Sequence, residues 1–313
     1  MGQKDLAAKQ FERSPEVFAD VINALIFEGE QIVSPKDLQP APTESLYPAV
    51  NGVLRNQYND VSKYEIRNGR IAVQYTLENQ SGPDYKIVLR KAGYEGAVYR
   101  QQYDGGETYP VITLVLYWGD AAWNVTSDLY HFFQKKGIHG LARKYIDNVR
   151  VHVYPMKYLS RQVRQRFRGD MKIVADYLAE GKKYEPTEQK IVDVDGTMRM
   201  LHALTGDMNF INNIEKLEEI QKRGGQVTMC EVVDKFVQRG REQGIKEGIK
   251  EGIKEEKTRC AAAFVKETVT QKQSKEYITG ILRTCFQLKE EEADNLYREG
   301  YEREHAREIS AFT

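Results

Sequence analysis

Residues 59–80 read NDVSKYEIRNGRIAVQYTLENQ, and the rest of the chain arranges itself around them. The second half alternates. Ile71, Val73, Tyr75 and Leu77 point one way, and Ala72, Gln74, Thr76, Glu78 and Gln80 point the other. A period of two marks a strand with one apolar and one polar face. Asn68-Gly69 accepts the positive φ angles of a two-residue hairpin turn, so residues 60–67 form the partner strand. Asp60 opens the hairpin; Glu78 and Gln80 close it. A plain two-residue turn sets Asp60 opposite Leu77 rather than Glu78. Bringing the two carboxylates together needs one extra residue in the ladder, and that bulge is expected near residues 59–62.

Working outward, residues 14–27 (SPEVFADVINALIF) predict a helix. Ser14 suits the cap, Pro15 the first turn and Glu16 the positive end of the dipole. Phe18, Val21, Ile22, Leu25 and Ile26 form its buried stripe, with Asp20 and Asn23 beside it. Residues 34–58 hold four prolines and no clear period, which predicts a long loop. A helix is expected over 84–103. The β-branched apolar run YPVITLVLYW at 109–118 predicts a central strand covered on both faces, and the alternation of 148–154 a further strand. The fold class is therefore α/β: a small mixed sheet flanked by helices, followed by an all-α C-terminal extension.

That extension starts basic. Between residues 135 and 168 stand ten Lys or Arg and one acid, a net of +9. Arg161, Arg164 and Arg168 fall at helical spacing, as a ridge would. The stretch reads either as a solvated face or as a surface for a phosphate backbone. Helices are expected over 170–180, 197–206 and 209–223, then one long helix over 231–267. Inside the long helix Gly240, Gly244, Gly248 and Gly252 recur in GREQ-GIKE-GIKE-GIKE. Each glycine costs a helix about 0.8–1 kcal/mol against alanine. The repeat is thus either a loose helical spacer or a close-approach face for a homo-oligomer. A helical hairpin closes the chain at 268–313.

The composition narrows the partners. The 46 basic and 46 acidic residues cancel, so affinity for a polyanion must come from local patches. Cys230, Cys260 and Cys285 lie far apart without metal-ligand spacing, as reduced thiols of a cytoplasmic protein do. His131, His139 and His152 are scattered, no nucleophile motif or phosphate-binding loop occurs, and no apolar run is long enough to suggest a membrane span.

Asp60 and Glu78 at one end of a hairpin suit a divalent cation, which phosphodiester hydrolysis uses to activate water and to bear the charge of the transition state. Paired acids on a hairpin are also common on ordinary protein surfaces. The ordered set GQKDLA (2–7), FADVINALIF (18–27), DVSKY (60–64), LENQ (77–80), GYEGAVYRQQ (93–102) and YPVITLVLYWG (109–119) resembles the Rpn family of recombination-promoting nucleases and transposases. Through it the chain resembles the PD-(D/E)XK phosphodiesterases. The resemblance implies a restriction-endonuclease-like core over 1–156, a basic helical extension over 157–230, and a DNA endonuclease using Mg²⁺ or Mn²⁺. Asp60 and Glu78 would be metal ligands, and Gln80 would stand where the superfamily more often has lysine. Asp20 would be a third ligand, although alone it reads as a solvated helix residue. Arg100 and Gln101 would face the scissile phosphate, although Arg100 equally suits an ion pair with Asp104 or Glu107. Rival readings are a catalytically silent DNA-binding protein and a self-assembling module.

Overall fold

The computed structural model describes residues 2–311 apart from 49–53, 59 and 138. Two helices lead. α1 (Gln3–Phe11) has little amphipathic character and was not expected from its sequence; α2 (Pro15–Leu25) starts where predicted, with Ser14 Oγ accepting from Val17 N at 3.4 Å. Residues 34–58 are not simply loop. They contain β1 (Leu38–Pro40), β2 (Glu44–Pro48) and β3 (Leu54–Tyr58). β2 and β3 pair with each other as a separate antiparallel ribbon, and β1 pairs with β4 (Val61–Arg67) at the edge of the main sheet.

The hairpin joins β4 to β5 (Arg70–Gln80) through Asn68 and Gly69, at φ of 52° and 74°. From β5 the chain passes through α3 (Ile87–Asp104) into β6 (Val111–Tyr117), which lies parallel to β5. After a short α4 (Leu129–Phe132) comes β7 (His152–Pro155), parallel to β6 and shorter than the alternation of 148–154 suggests. The sheet order is β1-β4-β5-β6-β7. As its apolar run predicts, β6 is covered on both sides. Leu114 and Leu116 enter the main core with Phe18, Ile22 and Leu77, while Val115 packs with Ile87 and Val88 of α3. The polar face of β5 is covered as well, so Gln74, Thr76 and Glu78 are buried.

The extension continues through α5 (Arg161–Arg164), α6 (Asp170–Glu180), α7 (Val194–Thr205), α8 (Met208–Asn212) and α9 (Ile214–Lys222). Met171, Met198, Leu201 and Leu217 from these helices share one core with the sheet. The chain divides into two compact units, Met1–Phe236 and Val237–Thr313, the division falling within the long α10 (Met229–Thr270). In the second unit α10, α11 (Lys275–Thr284) and α12 (Glu290–Ala311) pack around Ala261, Val265, Ile278, Leu282 and Ala293. Along the glycine repeat Ile245, Ile249 and Ile253 are exposed, and a methyl group added at any of the four glycines would meet nothing within 4 Å. Among the described residues, no helix is long and apolar enough to cross a membrane.

Candidate active site

The register near the turn is the plain one, with Arg67 opposite Arg70 and Ile66 opposite Ile71. One step later it shifts: Glu65 stands opposite Val73, leaving Ala72 as the extra residue. From there to Val61–Leu77 every pair is displaced by one, so the ladder runs on toward Asp60 beside Glu78. The shift that the two carboxylates require is therefore present. It lies beside the turn, on the second strand, rather than at 59–62. A bulge can realign a whole ladder from a distance because everything beyond it inherits the offset.

Asp60 and Glu78 are both buried, and two further acids join them from α1, a helix absent from the sequence reading. Glu12, at the end of α1, is wholly buried and accepts from Asn79 Nδ2 at 2.7 Å. Asp5 Oδ2 accepts from Ser81 Oγ at 3.1 Å, just beyond β5. Asp60 Oδ2 accepts from the backbone N of Asn79 at 2.7 Å, which fixes one side of its carboxylate. Asn79 is the hub: its Oδ1 also accepts from Trp118 Nε1 at 2.6 Å. Glu78 Oε1 accepts from Arg90 of α3 and, at 3.2 Å, from Gln80 Nε2. Arg90 is held in turn by Asp84 Oδ2 at 2.7 Å. Lys9 of α1 places its Nζ 4.0 Å from Asp60 Oδ1.

Crowding acids in a dry place makes them hold protons. Burial pushes Glu78 from 4.5 up to about 8, with Arg90 pulling the other way and Asp60 adding to the rise. Glu12 is driven well up by burial, with Asp60 and Glu78 contributing. Asp60 is also raised by burial, against the backbone N–H of Asn79 and the charge of Lys9. Glu78 Oε2 and Glu12 Oε1 are buried and have no hydrogen-bond partner. Buried acceptors in this condition are costly.

Other sequence-predicted residues lie elsewhere. Asp20 does not join the carboxylates. Its two oxygens accept from the backbone N of Arg168 at 2.7 Å and Gly169 at 3.0 Å, where the chain enters α6. Arg100 is an exposed residue paired with Asp104 at 3.6 Å and stacked over Tyr103. It stands ten residues beyond Arg90 on α3, roughly 15 Å along the axis, and Arg90 is the arginine at Glu78. Gln101 lines a narrow cleft with Tyr64, Gln74 and Tyr94. The basic ridge does not form either. α5 ends at Arg164, Phe167 is buried, and Arg164 is spent on Asp176 at 2.7 Å and Glu180 at 2.8 Å. Arg161 and Arg168 remain exposed.

The donor set suits Mg²⁺, which takes oxygen ligands and commonly only one or two carboxylates, waters and substrate supplying the rest. Among the described residues no group of three or more His, Cys, Asp and Glu is arranged to hold a metal ion, so a site here rests on the pair Asp60 and Glu78. The unpartnered Glu78 Oε2 is the oxygen that such an ion would satisfy.

A family model described as putative transposase, YhgA-like, matches residues 25–175. No curated protein and no solved structure matches the chain.

Proposed function

We propose, on the match of residues 25–175 to the YhgA-like transposase family model, that the chain is a metal-dependent DNA endonuclease of low sequence specificity, serving transposition or recombination. The observation that supports it most is the one-residue offset at Ala72, which runs the ladder toward Asp60 beside Glu78 within a buried group of acids. Burying several carboxylates together is destabilising, and such groupings gather at functional sites.

Asp60 and Glu78 would hold the ion. When bound, the ion supplies Lewis-acid polarisation of the scissile phosphate and lowers the pKa of a coordinated water. The protein's own residues set the geometry. The backbone N–H of Asn79 holds Asp60 by one oxygen and leaves the other toward Lys9. Gln80 and Arg90 both grip Glu78 Oε1, which turns Oε2 away from them. Gln80 thus acts here as a positioning residue for Glu78. Arg161, exposed at the start of α5, and Arg168, exposed just before α6, are proposed contacts for the DNA backbone, with Arg164 withdrawn from that role.

The test is nicking of supercoiled plasmid in Mg²⁺ or Mn²⁺. Asp60→Ala and Glu78→Ala each abolish it, whereas Arg100→Ala leaves the rate within a fewfold of wild type. Cutting that survives both of the first two substitutions overturns the proposal.

A further inference from the structure

An in-line attack on a phosphodiester gathers negative charge, and a cation beside the attacking water stabilises it. Gln80 is neutral and brings none. We propose that Lys9 of α1 supplies this cation, reaching the site from a helix far upstream of the hairpin; the inference rests on the nuclease reading above.

The placement of α1 makes the case. The helix is fastened to the end of β5 at two points, Asp5 to Ser81 and Glu12 to Asn79. Lys9 lies four residues after Asp5 and three before Glu12, so all three project from one face of the helix. Its ammonium stands 4.0 Å from Asp60 Oδ1, too long for a good hydrogen bond. The Lys9 side chain is 24% exposed, so it is reachable by substrate without leaving the site. Of the neighbouring cations, Arg90 is already committed to Glu78 within the site, and the others are engaged away from it. Arg90 pairs with Glu78 and Asp84, Lys4 with Asp120 at 3.1 Å, and Lys63 donates to the Arg13 carbonyl at 2.9 Å. Lys9 and Arg90 are the cations whose charge opposes the rise in the Asp60 pKa.

In the reaction a water oxygen bonds to phosphorus, the bond from phosphorus to one ester oxygen breaks, and that oxygen leaves with the electron pair. The water's proton passes to solvent, from which the leaving oxygen takes one. Lys9 stays protonated throughout and acts by charge alone.

Four proteins test this: wild type, Lys9→Met, Lys9→Arg, and Lys9→Met combined with Gln80→Lys. Plasmid nicking is measured beside calorimetric titration with Mn²⁺ in the absence of DNA. Lys9→Met is expected to nick about 10²-fold more slowly yet to bind Mn²⁺ at least as tightly, because a positive charge beside Asp60 has gone. Lys9→Arg retains more activity than Lys9→Met, and adding Gln80→Lys to Lys9→Met restores a substantial part of the rate. Should Lys9→Met melt early, Lys9→Gln takes its place under the same criteria. Nicking by Lys9→Met as fast as wild type overturns this inference alone. Weaker Mn²⁺ binding by Lys9→Met also overturns it, since Lys9 would then be building the site. A wild-type protein that cuts in no metal overturns the nuclease reading, and this inference with it.

Discussion

Replacing Glu78 with glutamine should change how the stability of the protein depends on pH, and the structure gives the sign. The folded protein holds Glu78 at about 8 against an ordinary 4.5, chiefly through burial. The folded state therefore keeps a proton that the unfolded chain releases. This is the reverse of the usual salt-bridged carboxylate. Stability tied to Glu78 is intact below pH 4.5, falls as pH rises through the interval to 8, and levels off above it. At about 1.4 kcal/mol per pH unit, the loss between pH 5 and pH 8.5 is about 4 kcal/mol. Glutamine cannot ionise and is spared it. In a unit the size of Met1–Phe236, about 4 kcal/mol corresponds to roughly 8–16 °C in Tm. The assay is thermal melting followed by circular dichroism in buffer containing a chelator. Between pH 5 and pH 8.5 the wild-type Tm should fall relative to that of Glu78→Gln by about this amount. Mg²⁺ or Mn²⁺ at pH 8.5 should then raise the wild-type Tm more than the variant's, because binding to the folded state adds stability. Parallel Tm profiles for the two proteins would refute the reasoning.

Asn79→Ala removes the buried partners of Glu12 and Trp118 together, at about 1–3 kcal/mol for each orphaned group; urea unfolding should show a loss of about 2–6 kcal/mol. Arg164→Ala takes a side chain only 10% exposed away from Asp176, which keeps Lys172, and from the half-exposed Glu180. It should cost about 1–3 kcal/mol while leaving the DNA affinity, measured by fluorescence anisotropy, little changed. Arg161→Ala should do the opposite, weakening DNA binding and its salt dependence with no change in Tm. Gly248→Ala together with Gly252→Ala should stabilise α10 by about 2 kcal/mol, because the added methyl groups meet nothing within 4 Å; the check is helix content on heating.

The features legible in the sequence are those written locally. Asn68-Gly69 specifies its turn, Ser14-Pro15 its helix start, and the run at 109–118 its buried strand, because each signal acts within a few residues. What could not be read depends on partners far along the chain. β1 in the proline-rich stretch exists through its pairing with β4, some 25 residues later. α1 has a weak apolar stripe, so the helix that carries Asp5, Lys9 and Glu12 had no periodic signal. The acid in α2 was visible, but its acceptors' partners, the N–H groups of Arg168 and Gly169, lie 148 and 149 residues away. Arg90 and Arg100 look alike along α3, and only the packing of the helix decides which one meets Glu78. The bulge was required by the chemistry, yet its position at Ala72 carries no residue signature. The three arginines of 161–168 looked like a ridge only on the assumption of one continuous helix, which ends at Arg164.

On the proposed function, Asp60 and Glu78, aligned by the bulge at Ala72, share one divalent ion. A crystal soaked in Mn²⁺ and measured for anomalous scattering tests it most directly. A single peak within about 2.0–2.4 Å of an oxygen of each carboxylate, with Glu78 bound through Oε2, is the predicted result. Density at neither residue, in crystals where Mn²⁺ binds elsewhere, would contradict it.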